Sequence, residues 1–134
     1  MSNGKLQYAS FEQAKRLKAL GFDLDTNVIF YTGKPDSGHI PSGIPQDTYW
    51  DNHNTDDYKV SAPTVALALK WCRDVKQIVA CVKDEGCIEV GVYHCAYYYS
   101  IRGNDCLDEF DTYEDAETAL LDAVLGVLEK GGAL

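Results

Sequence analysis

Cysteine beside histidine is the pairing that can make a thiolate nucleophile. The chain holds one such pair, His94–Cys95, inside the stretch GVYHCAYYYS at 91–100. The stretch is rich in aromatic and β-branched residues and reads as a strand. Neighbouring side chains on a strand point to opposite faces, so His94 and Cys95 cannot share a proton unless a bulge intervenes. The same alternation places Tyr93, Tyr97 and Tyr99 on one face with Glu89, Gly91, Cys95 and Ile101. The other face carries Ile88, Val90, Val92, His94, Ala96, Tyr98 and Ser100. Its aliphatic start is expected to pack on helices, leaving the tyrosine face partly exposed. A tyrosine ladder is ordinary strand chemistry. It is also a good binding platform, because tyrosine offers a large area and a polar tip.

Other chemistry-bearing patterns do not survive inspection of their spacing. The TGKPDSG segment contains Gly33–Lys34, but a phosphate loop needs a glycine at position 28 and Ser or Thr at 35, which are Val28 and Pro35. DNHNTDD places polar residues at Asp51, His53, Thr55 and Asp57, superficially like a calcium loop. The required glycine is Asp56 and the closing glutamate is Ala62. His39, His53 and His94, with Cys72, Cys81, Cys87, Cys95 and Cys106, show no zinc spacing. An odd number of cysteines without a secretion signal argues against a disulfide framework. Cys72 and Cys81 are expected to be buried free thiols. No catalytic, metal or cofactor site is assigned.

The net charge of −9 is unevenly placed. Residues 84–134 carry two bases against twelve acids, and the segment from Asp105 to Asp122 holds eight acids and no base. Nucleic-acid binding needs a basic footprint, so no direct nucleic-acid contact is expected. The acids at 105–117 read as a solvated face and a helix cap. No apolar run reaches the roughly 20 residues of a membrane helix, and the first residues lack a signal-peptide core. A cytoplasmic protein without membrane attachment is expected.

The elements that must position these residues are legible in part. SFEQAKRLKALG, 10–21, reads as a helix with a Ser10–Gln13 capping box and Gly21 as its terminal cap. NVIFYT, 27–32, reads as a strand. Residues 33–57 are rich in Gly, Pro, Asp and Asn and read as a long mobile loop. A second helix is expected in SAPTVALALKWCRDVK, 61–76, and a buried strand in QIVACVK, 77–83. A hairpin turn is expected at 84–87, with extended chain from 87 to 102. DTYEDAETALLDAVLGVLEKGG, 111–132, reads as a helix opened by an Asp111–Glu114 capping box. Residues 1–134 are thus expected to form a single α+β domain, with three helices on an antiparallel sheet of about three to four strands. The order is helix, strand, long loop, helix, two or three strands, helix.

The last helix is apolar well beyond the roughly 100° stripe of a surface helix. Ala116, Ala119, Leu120, Ala123, Val124, Val127 and Leu128 form one face, and Leu121 and Leu125 extend it. Beside the tyrosine face these two leucines extend an apolar patch that a monomer rarely leaves open. They are expected to be covered by another element of the chain or by a second copy in a symmetric dimer.

Three stretches, KVSAPTVALALKWCRDV, YYYSI and FDTYEDAETALLDAVLGVLE, together with SFEQAKRLKALGFD, resemble a group of small proteins from phages, prophages and mobile elements of gut bacteria. The resemblance covers roughly 8–32 and 58–130, omits 33–57, and departs from the usual pattern at Val65–Leu69. It implies a phage or mobile-element context. The group has no assigned activity, so no functional residue is carried over.

These features point to a non-enzymatic accessory or protein-interaction module. Its partner is another protein or a second copy, and its interaction surface is Tyr93, Tyr97, Tyr99, Leu121 and Leu125. The alternative is an acidic decoy that occupies the basic site of a host nucleic-acid-binding protein through the acids at 105–117. An enzyme using His94 or Cys95 is the weakest reading.

Overall fold

The structure is a computed structural model. It describes residues 7–32, 43–55, 57–84, 87–89, 92–94, 97–106 and 108–131, with backbone alone at 84, 87–89 and 92–94. The chain is α+β, with three helices and antiparallel sheets among these residues. The strands lie in two three-stranded sheets and a two-stranded hairpin, where the sequence suggests one sheet. The chain divides into two compact units, one of residues 8–71 and the other of residues 72–134 with the first seven.

In the unit of residues 8–71, α1 (Phe11–Ala19) begins where the sequence places it. Ser10 accepts from Gln13 N, and Gln13 Oε1 accepts from Ser10 N, which satisfies two of the free donors at a helix start. β1 (Thr26–Tyr31) is the central strand, flanked by β2 (Pro45–Asp51) and β3 (Lys59–Ser61), both antiparallel. Val28 and Phe30 on β1, Val60 on β3 and Ala14 on α1 form a common core with Ala62, and Phe11 packs its ring 5.4 Å from Phe30. α2 (Val65–Val75) is opened by Thr64, whose hydroxyl accepts from Leu67 N. The helix therefore starts later than the Ser-Ala-Pro stretch suggests. Ser61 belongs to β3, because its pairing with Ile29 competes successfully for the backbone.

β2 corrects the expectation of a long loop. Pro45–Asp51 is hydrogen-bonded sheet, and His53–Thr55 forms a 3₁₀ turn. Residues 33–42 and 56 lie outside the described residues. Pro45 fits because β2 is an edge strand, where the missing N–H disrupts no ladder.

In the unit of residues 72–134, β4 (Ala80–Asp84) pairs with β7 (Tyr97–Ile101), which pairs with β8 (Asn104–Asp105). Between β4 and β7 the chain makes a separate hairpin, β5 (Cys87–Glu89) with β6 (Val92–His94). The extended run expected over 87–102 is thus three strands, and β4 skips its nearest neighbours in sequence to reach β7. Arg102 and Gly103, with φ of 52° and 83°, make the two-residue turn into β8, the left-handed geometry that suits strand twist. α3 (Tyr113–Glu129) packs on β4 and β7. Its cap is Thr112, accepting from Asp115 N, one residue beyond the expected Asp111. Phe110 donates to and accepts from the backbone of Tyr97, which holds the chain extended up to that point.

Candidate interaction surfaces

The residues picked from sequence as an interaction surface go to several places. Leu121 and Leu125 are fully buried at 0% exposure, covered by the chain itself. Of the two coverings expected, the chain's own is the one present, and the two leucines are corrected as members of an interaction surface. The buried stripe of α3 is Ala116, Leu120, Leu121, Val124 and Leu125, with Ala119 and Ala123 only half-buried. The buried stripe is turned from the expected face towards Leu121 and Leu125, which take the core places expected of Ala119 and Ala123, while Ala116 stays in the core. Leucine removes more apolar area from water than alanine, at about 25 cal/mol per Å². A dimer seam through these leucines has no exposed surface to use.

Tyr97 and Tyr99 share one face of β7, and that face meets residues of the α3 region. The Tyr97 ring stands edge-on to Tyr113 at 5.9 Å, and Tyr99 stacks on Phe110 at 6.2 Å. Both are half-buried. The face at Tyr97 and Tyr99 is thus partly exposed, as expected, with Tyr113 and Phe110 covering the rest. Burial, with Cys106, Asp108 and Asp122 nearby, pushes the Tyr99 phenol above its ordinary pKa. Tyr113 donates to Glu117 one turn further on, and partial burial raises the Glu117 carboxyl above its ordinary range despite this hydrogen bond. The side chains of Tyr93, His94 and Cys95 lie outside the described residues.

The cysteines divide as well. Cys72 is buried, and burial pushes its thiol up to about 11, although Lys76 pulls the other way. Cys81 is exposed, contrary to expectation. On β4 it alternates with Val82 and shares a face with Lys83, so its side chain follows the lysine outward. Lys83 in turn reaches Asp105 at 3.3 Å. Among the described residues no three His, Cys, Asp or Glu side chains gather to hold a metal ion. No helix among them is long and apolar enough to cross a membrane.

Among the described residues, the most exposed aromatic side chains lie where no site is expected. Tyr49 and Trp50, consecutive on β2, are each 66% exposed. Consecutive residues of a regular strand point to opposite faces. Here the register breaks: Thr26 faces Asp51 and Val28 faces Asp47, so three residues, Thr48–Trp50, stand opposite Asn27 alone. With the alternation broken, both rings are left largely open to solvent.

The bulge is anchored rather than slack. Buried His53 places Nε2 2.8 Å from the Tyr49 carbonyl, so that nitrogen carries the proton in this contact, and its ring meets the Tyr49 ring at 5.1 Å. His53 N donates to Ser61 Oγ on β3. Asn54 accepts from Ser61 N at 2.8 Å and donates to the Phe22 carbonyl at 2.9 Å, while Asn52 Oδ1 accepts from Asn54 N. The Asp-Asn-His-Asn segment that resembles a calcium loop is a hydrogen-bonded clasp that fixes the end of β2. Its side chains satisfy backbone groups of three neighbouring segments, as buried polar groups must be satisfied.

The one sequence signal for this surface is the aromatic pair itself, standing in DTYWD amid turn-forming residues that bury little. No family model matches the chain, and neither a curated protein nor a solved structure matches it.

Proposed function

We propose that this protein is a non-enzymatic interaction module whose docking surface is the Tyr49–Trp50 bulge on β2. The observation that carries the reading is two adjacent aromatic rings left open to solvent on a backbone fixed by a buried histidine. Rigid, exposed Tyr and Trp are favourable interface anchors, because they bring area without much ordering entropy. Pro45 and the bulge blunt the free edge of β2, which disfavours partners that add a strand and favours those that bind the rings. The phage or mobile-element context implied by the resemblance belongs to the same proposal.

A second reading keeps one observation in its favour. Asp108, Glu109, Asp111 and Asp115 are all exposed at the entry to α3, as an acidic decoy of a nucleic-acid-binding protein requires.

The two readings separate in a capture experiment with identified partners. Baits would be the wild type, Tyr49→Ser with Trp50→Ser, and Asp108→Asn with Glu109→Gln and Asp111→Asn. A partner lost only from the serine bait supports docking through the bulge. A partner lost only from the amide bait, and lost in high salt, supports the decoy. A partner set unchanged on the serine bait overturns the docking proposal.

A further inference from the structure

Taking the docking surface above as given, we infer that the partner presents arginine or lysine side chains to Tyr49 and Trp50, which hold the cations between Asp47 and Asp51. The aromatic pair does not stand in a neutral setting. Asp47 and Asp51 are exposed and bracket the bulge on β2, at the register positions opposite Val28 and Thr26. Asp25, the residue before β1, is exposed beside the Thr26–Asp51 pairing. Between Ala19 and Tyr58 the sequence holds seven aspartates and a single lysine or arginine, Lys34. The bases of this unit are elsewhere: Lys15, Arg16 and Lys18 lie on α1, and Lys18 Nζ donates to the Lys59 carbonyl of β3, the opposite edge strand. The β2 edge thus carries Asp47 and Asp51 and no lysine or arginine, whereas the β3 edge is mixed, with Lys59 close to Asp57.

An aromatic face attracts a cation through its quadrupole, tryptophan most strongly, and guanidinium groups are the commoner guest. Carboxylates beside the rings add a hydrogen-bonding and Coulombic partner for the same cation. An acidic or purely apolar partner gains nothing from this rim, and an acidic one is repelled by it. The net charge of −9 works against a second copy at this site, while the bases of α1 make self-association one outcome the test must separate.

The probe is a capped hexa-arginine peptide, with hexa-citrulline as its uncharged counterpart and hexa-glutamate as the control. Affinity is read by titration calorimetry for every variant, and contact at the site by the indole N–H signal of Trp50, distinguished from that of buried Trp71 by Trp50→Phe. Both rings are exposed, so Tyr49→Leu with Trp50→Leu leaves a folded protein with unchanged charge. Hexa-arginine is expected to shift the Trp50 signal while the other two peptides do not. Loss of both rings is expected to weaken binding about three- to tenfold. Asp47→Asn with Asp51→Asn is expected to weaken it further and to reduce its dependence on salt. Binding that survives loss of the rings with unchanged affinity overturns the inference, because net charge alone then explains it. A Trp50 signal unmoved by hexa-arginine also overturns it. If a captured partner still depends on Tyr49 and Trp50 in that case, the docking surface stands and only the partner chemistry is wrong. Concentration-dependent self-association that disappears with the rings assigns the site to a second copy and equally overturns the inference.

Discussion

Two pairs of aromatic residues on strands meet opposite fates in this protein. Tyr97 and Tyr99 on β7 are spaced by two, so they fall on one face, and Tyr113 and Phe110 cover that face in part. Tyr49 and Trp50 on β2 are adjacent, and a bulge leaves both largely open to solvent on an edge that the described chain leaves uncovered. A regular strand delivers its aromatics to whatever helix lies on that face. A bulged edge strand withholds them from the core, and the clasp around His53 then keeps them in place. Exposure of a ring is thus decided by register and position in the sheet more than by residue type.

Core positions set the scale against which both pairs are measured. Leu121 is fully buried, and Leu121→Ala is expected to lower stability by about 2–5 kcal/mol in denaturant unfolding. A loss below roughly 1 kcal/mol would mean that α3 turns its leucines outward in solution and that the dimer seam must be reconsidered.

The clasp comes next. His53→Ala removes the contact to the Tyr49 carbonyl and leaves a cavity, with an expected cost of about 1–3 kcal/mol. It should also broaden or shift the Trp50 indole signal, because the bulge loses its anchor. An unchanged Trp50 signal in a destabilised variant would show that the bulge holds its shape without the histidine.

Tyr99→Ala and Trp50→Ala compare the two pairs directly. Loss of the stacked, half-buried Tyr99 is expected to cost about 1–2 kcal/mol. Loss of Trp50 should change stability by no more than about 0.5 kcal/mol, since it is mostly solvated. Equal costs would erase the distinction between a covered pair and a free one. The cysteines give an independent check on burial. Cys81 should react with a thiol reagent in the native state, while Cys72, buried and with its pKa near 11, should wait for unfolding.

What could be read from the sequence follows the range of the interactions involved. The Ser10–Gln13 capping box is legible because both partners lie within one helical turn. The strand at Thr26–Tyr31 is legible from its β-branched and aromatic residues. The cap of α3 is misplaced by one residue because Asp111–Glu114 and Thr112–Asp115 both satisfy the pattern, so the sequence does not select between them. The pairing of β4 with β7 is not legible, since it passes over the local β5–β6 hairpin and joins residues distant in sequence. The rotation of α3 depends on what covers it, so the leucines look like an excess when they are the core. β2 is hidden for a different reason. Pro45, Asp47 and Asp51 carry the composition of a loop, and the bulge destroys the alternation that marks a strand.

The smallest effect expected concerns Glu117, on the covered side of the comparison. Its carboxyl is raised by burial, with Glu114 adding to the rise, and the hydrogen bond from Tyr113 opposes both. Glu117 therefore holds its proton more tightly in the folded chain than in the unfolded one, where a glutamate titrates near about 4.3. Folding takes up a proton between those two values, so this residue's contribution falls as pH rises through the window, and is flat below it. Glu117→Gln has no proton to release. The variant should match the wild type in acid and gain relative stability as pH rises towards neutrality. The gain should be small, because the side chain is half-exposed and solvent screens it. Thermal unfolding of both proteins across pH 4 to 7 measures it. If the wild type instead gains on the variant as pH rises, the Tyr113 hydrogen bond outweighs burial, and the region around Tyr97 is more open than its ring contacts imply.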